Sequence, residues 1–156
     1  MSTSTTNQEY PMTNITYKIK TATAEEIYFH LKECNANFIP PLDEKVDIQE
    51  YSKKLVDKSV TFEAWEDRIL AGLIAAYLND AEKKSGFITN VSTLKKYMGK
   101  GIASELMTRC IDYSKKHNFK EILLEVSEKN IEAIHLYTKN GFKDIENKNG
   151  MLVMKL

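Results

Sequence analysis

The first periodic segment is "NITYKIKTAT", where Ile15, Tyr17 and Ile19 alternate with polar residues. A period of two predicts a strand with one apolar face. Thr23 follows, with Glu26 three residues on. That is the spacing of a capping box, so "AEEIYFHLKECN" is expected to be a helix. "ANFIPPL" ends it, because Pro40 and Pro41 restrict their own backbone and that of the residue before them. In "DEKVDIQEYSKKLVDKS", Ile48, Tyr51, Leu55 and Val56 recur at helical spacing. "VTFEAWED" alternates again and predicts a strand, closed by a turn at Glu66-Asp67-Arg68. "ILAGLIAAYL" is apolar on both faces, as a central strand is. "NDAEKKSG" reads as the turn that joins it to a further strand, "FITNVSTL".

In the second half, Ile102, Ala103, Leu106, Met107, Cys110 and Ile111 form a wide helical stripe. Lys115, Lys116 and His117 stand near its end, where cations suit the negative pole of the helix. "KEILLEVSE" predicts a buried strand. Asn130 is placed to cap a short helix, "IEAIHLYTK", which stops at Asn140-Gly141. "FKDIEN", a Lys148-Asn149-Gly150 turn and "MLVMKL" predict a last hairpin. The order βααβββαβαββ describes one α/β domain over residues 15–156, with a mixed, mostly antiparallel sheet of seven strands and four helices. Residues 1–14, "MSTSTTNQEYPMTN", lack the basic start and apolar run of a secretory signal and are expected to form a loose arm.

Composition narrows the partners. A chain of 156 residues with 42% hydrophobic and 28% charged positions suits a globular, soluble domain with a real core. No apolar run approaches the ~20 residues of a membrane span, so no membrane partner is expected. Two cysteines, Cys34 and Cys110, are too few for a disulfide framework, so reduced thiols and a cytoplasmic location are the expectation. Residues 1–94 carry 10 basic and 14 acidic side chains, and residues 95–156 carry 12 and 8. No basic block stands out, so a nucleic-acid partner is not expected. The split suits an anionic ligand on the C-terminal half and a cationic one on the N-terminal half.

The candidate chemistry starts at "KKYMGKGIASELM", where two of only 6 glycines sit at the mouth of a helix. The first turn of a helix has unpaired N–H groups and a positive dipole end, and glycine permits positive φ there. On its own the loop fits a plain turn as well as an anion site. The mononucleotide loop G-x-x-x-x-G-K-[ST] is absent. A dinucleotide-binding oxidoreductase would need a third glycine and a leading βαβ unit, and "GKGIAS" has only the first half of that fingerprint.

Three features together resemble the GNAT superfamily of acetyl-CoA-dependent N-acetyltransferases. They are the loop Met98-Gly99-Lys100-Gly101-Ile102-Ala103, the strand "LLEVSEKN", and the spaced set Asn130, Ala133, Tyr137, Gly141 and Phe142. The resemblance spans residues 15–156. It departs at Met98, where the family usually has Arg or Gln. It implies acetyl-CoA as cosubstrate, no metal, and a pair of strands, "FITNVSTL" and "EILLEVSE", that splay apart to admit the cofactor. It implies cofactor contacts from Val91, Ser92, Thr93, Met98, Gly99, Lys100, Gly101, Ile102, Ala103, Ser104, Asn130 and Tyr137. In its terms the N–H of Thr93 is the oxyanion donor and Tyr137 the acid for the departing thiolate, although Tyr137 also fits a core position beside Ile134. The strand "FITNVSTL" has no carboxylate, so Glu63, Asp80, His30 and Glu33 remain candidates for a general base. The acceptor pocket is expected from Tyr28, Phe38, Ile39, Pro40 and Pro41, with Trp65, Tyr77 and Asn79 beside them. A small-molecule primary amine is the expected acceptor. Transfer to a protein or peptide, and CoA binding without turnover, are the alternatives. The resemblance also implies a homodimer as a partner arrangement, which is common in the family.

Overall fold

The computed structural model describes residues 14–79, 82 and 84–156. The expected arm therefore lies outside the described residues but for Asn14, and so does Asp80. The observed order matches the expected one. It runs β1 (Ile15–Ile19), α1 (Ala24–Cys34), α2 (Ile48–Lys58), β2 (Val60–Glu66), β3 (Ile69–Tyr77), β4 (Ser85–Thr93), α3 (Ile102–Lys116), β5 (Glu121–Ser127), α4 (Ile131–Lys139), β6 (Lys143–Lys148) and β7 (Met151–Lys155). The strands form one seven-stranded sheet in the order β1-β2-β3-β4-β5-β7-β6. Only the β4–β5 pair is parallel.

Local signals fold as read. Thr23 and Glu26 form the reciprocal capping box of α1. Asp47 caps α2 by accepting from the N–H of Glu50 at 3.0 Å. Asn149 and Gly150 turn the last hairpin with φ of 52° and 88°, the left-handed pair that a two-residue hairpin loop requires.

The sheet is covered on both faces. α3 packs across β2, β3 and β4, and α1 and α2 pack against β2 and β3. Successive side chains of β3 separate accordingly: Ile74 and Ala76 join Leu106 and Met107, while Leu73 and Ala75 join Leu31 and Leu55. Under this double cover Val60 through Trp65 of β2 are all buried, polar Thr61 and Glu63 included. β5, expected to be buried throughout, instead alternates, with Glu125 exposed.

The contact of α3 with β3 depends on Gly72. A Cβ there would lie 2.7 Å from Ile102 Cγ2 and 3.2 Å from Leu106 Cδ1, both buried. Gly72→Ala is expected to cost about 1–3 kcal/mol in urea unfolding, because α3 must lift to make room.

Candidate functional site

The site begins where β4 and β5 part. They pair from Ser85↔Glu121 to Ile88↔Leu124 and no further. The next residue, Thr89, is the extra one in β4: Ile88 pairs with Ala76 and Asn90 with Ala75. A bulge bends its strand and adds twist, which turns the end of β4 away from β5. Tyr51 of α2 steadies the bulge by donating to Thr89 O at 3.0 Å, with its hydroxyl 2.8 Å from Thr89 Oγ1. Beyond the bulge, the Leu94 N–H donates to Ala71 O at 2.9 Å. Alternate residues of an antiparallel ladder face the partner strand, so Ser92 and Asn90 bond toward β3. Val91 and Thr93 then aim their N–H and C=O groups into the gap.

A cavity of about 430 Å³ fills this gap and continues to the start of α3. The glycine loop forms one end. Gly99 and Gly101 have φ of 76° and 83°, and Gly101 is the N-cap of α3 with no side-chain cap. The first helical bond is Glu105 N–H to Gly101 O at 3.0 Å, so the N–H groups of Ile102, Ala103 and Ser104 have no helical acceptor. Tyr97, just before the loop, is buried and donates to the Glu66 carboxylate, which ties the loop to the β2–β3 turn.

α4 supplies the opposite wall. Asn130 caps it, its oxygen accepting from the N–H of Ala133 at 3.2 Å, and also lines the cavity. Both of its anticipated roles therefore remain compatible. Tyr137, the seventh residue of α4, lines the cavity as well and is 6% exposed. Its hydroxyl makes no hydrogen bond to another described residue, and burial pushes the phenol well above its usual range.

Most of the anticipated cofactor residues come together here: Val91, Ser92, Thr93, Met98, Gly99, Gly101, Ile102, Ala103, Ser104, Asn130 and Tyr137 all line the cavity. Lys100 does not, and its side chain is exposed. Phe38, Ile39 and Pro40, anticipated for the acceptor, line the cavity with Asn37, Leu42 and Lys45.

The other anticipated acceptor residues lie elsewhere. Trp65 is buried in the core under α1 and α2, donating from Nε1 to Glu63 at 3.0 Å. Tyr77 packs against that same core with Lys54 over its ring. Tyr28 stacks edge-on with Phe29. Asn79 is exposed and donates to Lys58 O at 3.1 Å. Pro41 is also absent from the lining.

Two base candidates are also displaced. Glu63 is fully buried away from the cavity, and five donors occupy its carboxylate. Glu33 borders a separate hollow between α1 and the start of β3. His30 is buried and reaches Ser92 Oγ at 2.8 Å. Asn90 was not anticipated. The signal was present, because Asn90 and Ser92 share strand parity and so lie together as a polar pair on one face.

Known proteins were compared with this fold. The acetyltransferase (GNAT) family description matches residues 24–142. The N-alpha-acetyltransferase MAK3 of Arabidopsis thaliana is 40% identical over 57 residues, 36% of this chain and 30% of its own length. Streptothricin acetyltransferase A of Bacillus subtilis (strain 168) is 33% identical over 55 residues, 35% of this chain and 32% of its own length. The matched stretches thus span about a third of these relatives. The PaiA N-acetyltransferase of Thermoplasma acidophilum, solved in complex with coenzyme A, shares the fold with a TM-score of 0.71 at 17% identity, over 90% of this chain and 98% of that one. Among the described residues no helix is long and apolar enough to cross a membrane. With the family description spanning most of the domain, the chain belongs to the acetyltransferase (GNAT) family.

Proposed function

We propose that the protein transfers an acetyl group from acetyl-CoA to the primary amine of a small molecule, by direct attack in a ternary complex. The observation that carries this is the end of β4–β5 pairing at Ile88↔Leu124, in a gap that runs from the first turn of α3 to Tyr137. The residues fit CoA. Unpaired N–H groups of Ile102, Ala103 and Ser104 suit a pyrophosphate. A Cβ at Gly99 or Gly101 would meet nothing within 4 Å, so the loop is open to a bulky anion. The gap-facing groups of Val91 and Thr93 suit an amide-bearing arm, which would complete the ladder that β5 leaves.

Bound acetyl-CoA supplies the acetyl group as an activated thioester. The Thr93 N–H is aimed to stabilise negative charge as it develops on the carbonyl oxygen. Tyr137 holds a proton for the departing sulfur. Phe38, Ile39 and Pro40 offer apolar contacts to an acceptor beside the cavity. Their modest apolar surface suits a small acceptor.

A second reading, transfer to a peptide α-amine, is favoured by the activity that the name of the Arabidopsis relative states. A panel of small amines and short peptides, read by free-thiol release and mass of the acetylated product, separates the two. Product from peptides alone would reverse the choice, and no thiol release from any acceptor would reject acetyl transfer.

Met98 lines the cavity and is 44% exposed, so a longer cationic side chain fits there. Met98→Arg is expected to tighten CoA binding about two- to five-fold by calorimetry, the size of an exposed charge contact. Absence of CoA binding by both proteins would reject the cofactor assignment.

A further inference from the structure

The acceptor nitrogen must release a proton, and β4 carries no carboxylate to take it. Three buried polar side chains meet at its cavity end instead. His30 Nδ1 lies 2.8 Å from Leu70 O, and its Nε2 lies 2.8 Å from Ser92 Oγ. Ser92 Oγ in turn lies 2.8 Å from Asn90 Oδ1. His30, Ser92 and Asn90 are 4%, 8% and 4% exposed, and Asn90 Nδ2 has no partner.

The proton positions follow from what each group can do. A carbonyl only accepts, so Leu70 O holds the imidazole proton on Nδ1. The neutral ring then presents a lone pair at Nε2. Ser92 has a single proton, and Nε2 is its best acceptor. Asn90 then serves Ser92 Oγ by donating from its nitrogen, with the amide turned end for end. That turn also gives the orphaned Nδ2 a partner, leaving an under-used carbonyl oxygen, which is the less costly deficit. Burial lowers the His30 pKa to about 4, so the ring stays neutral through the neutral range.

We propose that Ser92 is a catalytic residue and His30 its positioning partner, together receiving the proton that the acceptor amine loses during acetyl transfer. The inference rests on the acetyltransferase reading above. As the nitrogen–carbon bond forms, an N–H bond of the neutral amine breaks toward Ser92 Oγ. The Ser92 O–H breaks toward His30 Nε2, and Leu70 O steadies the imidazolium through Nδ1–H. The carbon–sulfur bond breaks, and sulfur takes the Tyr137 proton. Solvent then carries the proton from His30 back to Tyr137, so the cycle consumes none.

The groups around His30 suit this. Cys34 Sγ lies 3.7 Å from Nε2 as a thiol, its pKa pushed up to about 12 by burial. Glu26, Glu33 and Arg68 border the hollow beside the ring, while burial lowers its pKa and the Leu70 carbonyl raises it.

The test uses His30→Gln, Ser92→Ala and the double variant, with chain melting as a control. Each single variant is expected to lose about 100-fold in kcat with the acetyl-CoA KM unchanged, and the double variant no more than the worse single. The rate of His30→Gln should keep rising with pH where the wild type has levelled off. Nitrogen NMR of the ring supplies a readout without turnover: the proton belongs on Nδ1, and Ser92→Ala should shift the Nε2 resonance. If His30→Gln does not fold, Ser92→Ala decides with the same two measurements. Wild-type kcat in the single variants, additive losses, or a proton on Nε2 in the neutral ring would each overturn the relay. A wild type that releases no thiol with any amine would instead refute the acetyltransferase reading.

Discussion

Tyr137→Phe is expected to lower kcat about 100-fold or more while leaving the KM for acetyl-CoA within about two-fold. The phenol ring is held by packing: it is 6% exposed and its centroid lies 6.0 Å from that of Phe142. Phenylalanine keeps that packing and removes only the hydroxyl. The hydroxyl pairs with no other described residue, so its loss strands no partner. The melting temperature should therefore stay level, since the hydroxyl faces the cavity and holds no protein partner among the described residues. A hydroxyl on the cavity wall that no other described residue uses is what the acid role requires. Burial also pushes the phenol upward, so it remains protonated across the working range and yields its proton only as charge builds on sulfur. Steady-state kinetics with both substrates saturating decide the point. An unchanged kcat would return Tyr137 to the core.

How far such a site can be read from a sequence depends on how local its determinants are. Thr23 with Glu26, Asn149 with Gly150, and the glycines before α3 each act within a few residues, and each was legible. The spacing from Asn130 to Tyr137 was legible because both stand on one short helix. The opening between β4 and β5 was available only through family resemblance. Its cause is a one-residue bulge at Thr89, held by Tyr51 from 38 positions away, and alternation alone does not reveal it. His30 and Ser92 are separated by 62 positions and meet only when α1 lies on the sheet. Trp65 and Tyr77 were expected beside the acceptor pocket from the family resemblance. The double cover of the sheet buries Trp65 under α1 and α2 and packs Tyr77 against the same cluster, away from the cavity lining.

The largest loss of stability is expected from Glu63→Ala. Glu63 is fully buried on β2, and five groups converge on its carboxylate. The N–H groups of Thr21 and Ala22 donate at 3.0 Å each, and Trp65 Nε1 also at 3.0 Å. The hydroxyls of Thr21 and Thr61 donate at 2.5 and 2.6 Å. A buried carboxylate is costly to desolvate, but here five donors satisfy it, those of Ala22, Thr61 and Trp65 buried with it and the two of Thr21 part-buried. Removing the acid strands the buried donors together. The expected loss is about 3–5 kcal/mol in urea unfolding, which lowers the melting temperature by roughly 10 °C in a domain of this size. Glu63→Gln should lose less, because the amide oxygen still accepts while its N–H₂ opposes the remaining donors. The carboxylate joins β2 to the turn that starts α1 and lies outside the cavity, so the folded fraction of Glu63→Ala should keep its kcat at low temperature. A variant as stable as the wild type but without turnover would reverse both halves of the assignment, making Glu63 a base and the five donors dispensable.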